Sequence, residues 1–153
     1  MTNQTREIAE KMIAGGWRVV PIKPREKVPD GGNGWQGKTF APTDFAANNG
    51  VGVMTGHGVF ALDIDSYDPD VASAIADEAK RRFGKTLERV GQAPKVALFY
   101  RGLAGRKKIE TKLAPSTFKP ADKTEKVEVL LKGQQCVAFG IHPDTGQPYE
   151  WVG

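Results

Sequence analysis

A single cysteine, Cys136, excludes an internal disulfide and a cysteine-rich zinc site. No apolar run approaches the roughly 18 residues that a membrane-spanning helix needs. The opening residues, Met1 to Glu7, are polar and carry no signal-peptide core, so cytoplasm is the default compartment. There is no internal repeat and no low-complexity tail. Histidine is scarce. His57 and His142 lie far apart with no His-x-His pair, which argues against a histidine-pair replication nuclease. Charge of one sign is only slightly in excess. A net +4 is compatible with a polyanionic partner but decides little alone. What is present, 39% apolar and 26% charged residues in 153, describes one soluble globular domain, 1–153, able to bury a core.

The most informative stretch is Gly58-Val59-Phe60-Ala61-Leu62-Asp63-Ile64-Asp65. Val59 to Ile64 reads as a buried strand, short, apolar and bounded by turn residues. Side chains alternate faces along a strand, so Asp63 and Asp65 point the same way and Leu62 and Ile64 the other. Two like charges side by side at the end of an apolar strand repel and resist desolvation. A divalent cation, Mg²⁺ or Mn²⁺, would offset both costs, because these ions favour hard oxygen ligands. The plainer alternative is that the two acids end a strand and lead into the next helix.

Around this stretch the pattern predicts a helix over Arg6 to Ala14, closed by Gly15-Gly16, and a short edge strand from Trp17 to Ile22 that contains Pro21. Val51 to Met54 reads as a strand forming a hairpin with the acidic one through Thr55 to Gly58. Asp68-Pro69 starts a helix that runs to Arg82, with Val71, Ala74, Ile75, Ala79 and Phe83 on its apolar face. Strands follow at Val96 to Tyr100, Val127 to Leu131 and Gln135 to Phe139, the last two read as a hairpin, with short strands near Ile109 and at Tyr149 to Trp151.

Glu128 sits inside one of these strands, where a glutamate is disfavoured unless it faces water or a partner. With Asp63 and Asp65 it makes a third carboxylate, the number that suits a two-metal phosphoryl-transfer site. Two stretches carry cations. The glycine-rich loop after the first strand holds Lys23, Lys27, Lys38 and Trp35, which could meet phosphates and stack on a base, or could be a solvated loop with Trp35 folded onto the core. Arg106, Lys107 and Lys108 open a second basic stretch.

The chain resembles the N-terminal domain of bifunctional DNA primase/polymerases of the archaeo-eukaryotic primase superfamily. The resemblance rests on Gly16-Trp17 with Val20-Pro21-Ile22, on Lys27-Val28-Pro29, and on Gly50-Val51-Gly52-Val53-Met54-Thr55-Gly56. It continues through Ala61-Leu62-Asp63-Ile64-Asp65, Val127-Glu128-Val129-Leu130, and the tail Phe139 to Trp151. It implies an α+β fold: a mixed, mainly antiparallel sheet of the RNA-recognition-motif palm type with flanking helices and a smaller β-rich part beside it. It also implies metal binding by Asp63, Asp65 and Glu128, and nucleoside triphosphate contacts by Lys95 with His142 or Arg101. The cationic loops would hold a single-stranded DNA template. The family's second motif usually supplies a histidine where this chain has Lys95, a cation that keeps its charge at neutral pH.

The expected function is therefore a template-directed DNA primase/polymerase using Mg²⁺ or Mn²⁺ in phage or plasmid replication. The chain is read as a fragment of a longer protein with a downstream helicase and no membrane partner. Two alternatives stay open: a module that only grips single-stranded DNA or a nucleotide, and a metal-dependent nuclease.

Overall fold

The computed structural model of the chain describes residues 2–102 and 108–153. Two helices, α1 (Gln4–Ala14) and α2 (Pro69–Phe83), and nine strands build it: β1 (Val19–Ile22), β2 (Gly50–Met54), β3 (Val59–Asp65), β4 (Glu88–Val90), β5 (Val96–Arg101), β6 (Lys108–Lys112), β7 (Lys126–Leu130), β8 (Gln135–Phe139) and β9 (Glu150–Val152). The strands form a three-stranded sheet, β1-β2-β8, and a six-stranded sheet, β6-β7-β3-β5-β4-β9. Each ladder is antiparallel, and the architecture is α+β as expected.

β3 lies in the middle of the large sheet because Val59 to Ile64 suits burial on both faces. Leu62 and Ile64 face α2, together with Val96, Leu98 and Tyr100. The helix meets them through Ala72, Ala76 and Ala79, small residues that let its backbone come close to the sheet. The buried stripe is therefore turned away from the expected face, and Phe83 is left 57% exposed, edge-on to Phe60 and Tyr100. The start of α2 is as expected: the Asp68 side chain accepts from the backbone N–H of Asp70 and Val71. The opposite face of the large sheet carries Ala61, Ala97, Phe99 and Leu130. It packs on Val53, Cys136 and Ala138 of the small sheet. α1 covers the small sheet through Ala9, with Ile8, Met12 and Ile13 beside it.

Two expected hairpins do not form. β2 pairs with β1 and β8, whereas β3 pairs with β5 and β7. β7 and β8 likewise belong to different sheets. The segments 55–58 and 131–134 are crossovers between the sheets. They lie against each other: Thr55 N–H donates to the Gln134 carbonyl at 3.1 Å and Thr55 Oγ1 to the Leu131 carbonyl at 2.6 Å. A Cβ at Gly56 would sit 2.3 Å from Lys132 Cα, and Gly56 has φ 92°. Only glycine allows that contact. The same turn residues that suggest a tight hairpin serve here to let two backbones cross.

Candidate active site

The register of the large sheet sets the site. Asp63 stands opposite Glu128 of β7 on one side and Ala97 of β5 on the other. Glu110 lies beyond Glu128, and Arg89 beyond Ala97. Residues directly opposite in a ladder share a face, so Glu110, Glu128, Asp63, Ala97 and Arg89 form one row across five strands. Asp65 lies two residues further along β3, opposite Lys126. The Asp63 and Arg89 part of the row opens onto a cleft of about 120 Å³, lined also by Asp65 and Lys95 and by His142 and Tyr149. A larger groove, of about 700 Å³, lies beyond Val137 and Tyr149 and holds only one acid, Glu26.

Each acid has its own setting. The Asp63 carboxyl is raised above the ordinary aspartate value, first by burial, with Asp65 and Glu128 adding to the rise and Arg89 and Lys27 opposing it. Nζ of Lys95 lies 2.8 Å from Oδ1 of Asp65 and 3.9 Å from the centre of the Tyr67 ring. That Asp65 oxygen is buried and lacks a well-directed hydrogen bond, so the contact with Lys95 is one of charge rather than of directed bonding. Oε1 of Glu128 accepts from Lys108 Nζ at 2.9 Å, and Lys126 Nζ lies 2.6 Å from the same oxygen. Burial works to raise the Glu128 carboxyl, but these two ammonium groups prevail and hold it below the ordinary glutamate value.

Among the described residues no three His, Cys, Asp or Glu side chains are gathered closely enough to hold an ion. Ammonium groups stand on two of the three carboxylates instead, as cations of the protein's own. The donor chemistry fits a hard divalent cation: oxygens only, on one face, with the charge of the central acid disfavoured by burial and then by its acidic neighbours.

His142 is buried, and its Nδ1 accepts from the backbone N–H of Asp144 at 3.1 Å and of Thr145 at 3.4 Å. That acceptor role fixes the tautomer, with the proton on Nε2. Burial, then Lys27, lowers its pKa; Asp144 opposes them, and Arg89 and Lys95 add smaller lowering effects. The ring is thus a neutral donor at pH 7. Lys27 joins the same cleft from the loop after β1.

The other expected residues lie elsewhere. Arg101 pairs with Val59 at the far end of β5, exposed and away from the cleft. Lys23 borders the larger groove. Trp35 packs with Phe40 against the cluster of Val20, Ile22, Met54, Val137 and Tyr149, so its ring serves the core, and Lys38 Nζ donates to the Gly31 carbonyl. Lys108 engages Glu128 and Glu110. Arg106 and Lys107 fall outside the described residues. Sequence reasoning missed β4 and with it Arg89. Three residues with no apolar alternation give no strand signal, and a buried arginine has no period of its own.

The family model for the N-terminal domain of bifunctional DNA primase/polymerases matches residues 9–153. No curated protein matches the sequence.

Proposed function

Because the chain belongs to the bifunctional DNA primase/polymerase N-terminal family, we propose that it is a template-directed nucleotidyltransferase that extends a 3′-hydroxyl on single-stranded DNA. The observation that carries this is the placement of Asp63, Asp65 and Glu128 on one face of adjacent strands, the first two lining a cleft with Lys27, Arg89 and Lys95. In the transfer the 3′-oxygen bonds to the α-phosphorus of a nucleoside triphosphate. The bond to the α,β-bridging oxygen breaks, pyrophosphate leaves with the electron pair, and the hydroxyl proton passes to solvent.

Asp63, Asp65 and Glu128 would hold Mg²⁺ or Mn²⁺. A cation bound there lowers the pKa of the attacking hydroxyl and offsets charge at the phosphate. Lys95, now on Asp65, is free to turn to a phosphate once that acid has another cation. His142 offers a neutral Nε2–H donor for a phosphate oxygen. Lys108, Lys112 and Lys126 share the face of Glu128 at the sheet edge, where the strand being copied can lie. Phage or plasmid replication, with a downstream helicase, is the setting this reading suits.

The test is extension of a labelled primer on a single-stranded template with deoxynucleotides and Mn²⁺. Extension is expected from the intact chain and lost in the Asp63→Ala, Asp65→Ala double variant. Synthesis that survives in that variant sinks the reading. One observation favours a second reading, a module that binds DNA without chemistry: lysines already neutralise Asp65 and Glu128. DNA binding without metal-dependent nucleotide binding in calorimetry would favour it.

A further inference from the structure

Arg89 is the one lysine or arginine among the described residues that is buried, at 8% exposure. A buried charge is costly unless it is paired. Among the described residues no carboxylate lies within 4.0 Å of this one. Its Nη2 donates to Sγ of Cys136 at 3.0 Å, a weak acceptor. The guanidinium carbon lies 4.8 Å from the centre of the Tyr149 ring, and Nε–H has no hydrogen-bond partner among the described residues. These contacts fix the group in place without neutralising it. Asp63 is near enough to be felt but not to pair.

The surroundings indicate what is missing. Lys27, Lys95 and the Nε2–H of His142 line the same cleft, and the buried hydroxyl of Tyr149 has no partner either. The acids facing this end are Asp63 and Asp65. A space of about 120 Å³ is too small for a whole nucleotide, since sites for molecules of that size run to roughly 300 Å³ or more.

We infer that Arg89 anchors a diphosphate pocket, gripping the β- and γ-phosphates of the incoming nucleotide and holding them as pyrophosphate when the α,β-bridge breaks. The inference rests on the nucleotidyltransferase reading for the source of the diphosphate. Charge grows on the leaving group as the bridge bond breaks, and a guanidinium already held by Cys136 and Tyr149 meets it without reorganising. Its planar fork fits two phosphate oxygens, which an ammonium cannot match.

The experiment is titration of the intact chain with inorganic pyrophosphate in Mg²⁺ buffer, beside a nucleoside monophosphate. Pyrophosphate should bind, and Arg89→Lys should weaken it about tenfold or more while binding of the monophosphate stays as it was. Since a change at a buried arginine can unfold the protein, the Nε–H resonance of Arg89 in the unaltered chain is followed as well. It should shift as pyrophosphate is added. An unmoved resonance, or equal affinity in a folded Arg89→Lys variant, overturns the inference. Primer extension separates the two claims. A shifted Arg89 resonance without extension leaves the pocket standing and the polymerase reading fallen; extension with an unmoved resonance does the reverse.

Discussion

Glu125, just before β7, ties the loop after β3 to the loop ahead of β7. One carboxylate oxygen accepts from Tyr67 N–H at 2.9 Å and from Ser66 Oγ at 3.0 Å; the other accepts from Ser116 N–H at 2.6 Å. Burial opposes its charge, yet these donors outweigh burial and hold the carboxyl at about 2, well below the ordinary glutamate value. A carboxyl depressed in the fold stabilises it above the unfolded value and loses that contribution as pH falls towards the folded one. The chain should therefore lose stability between about pH 5 and pH 2. Glu125→Gln should cost about 2 kcal/mol at pH 7 and flatten the curve through that window. Urea unfolding at stepped pH values reads both. An unchanged slope in the variant would mean that other carboxylates carry the acid sensitivity. The bonds hold Ser66 and Tyr67, directly after Asp65, so the same residue steadies one end of the acidic strand.

Among the elements, the acidic strand was legible because a period of two is a local property: Asp63 and Asp65 share a face whatever strands lie beside them. Its partners were not. Short strands joined by four turn residues look like hairpins, and only long-range packing decides that 55–58 and 131–134 cross between sheets instead. The Asp68 cap was legible because it too is local. Lys95 lines the cleft, while Trp35 packs into the core. The crossing gives a sharp test. Gly56→Ala puts a methyl group onto Lys132 Cα and forces an unfavourable φ, so it should destabilise by about 2–4 kcal/mol. The same change at Gly37, with open space around it and no positive φ, should cost far less. Comparable unfolding midpoints for the two variants would show that the crossover relaxes freely.

Over the whole molecule, a net charge of +4 tells less than where the cations stand. Lys108, Lys112 and Lys126 share the face of the β6–β7 edge beside Glu128. If the three meet phosphates, the slope of log affinity for single-stranded DNA against log salt should be about −2, a loss of about 15-fold between 50 and 200 mM. Replacing Lys112 by Ala should lower that slope. Affinity indifferent to salt would remove this edge as a DNA track.

The pairing of β2 with β8 has a consequence for how the protein is made. Gly52 and Val137 are partners although most of the chain lies between them. Closing so long a loop costs about 4 kcal/mol in chain entropy. A ribosome delivers β2 long before β8. Throughout that interval one side of β2 is an open strand edge flanked by Val51 and Val53, the kind of edge on which nascent chains aggregate. The small sheet closes only when β8 emerges. Its arrival brings Cys136 to Arg89, and the next stretch to be synthesised brings His142 and Tyr149. Premature release of the nascent chain would thus yield a sticky half-sheet with its acids in place and no pocket beside them.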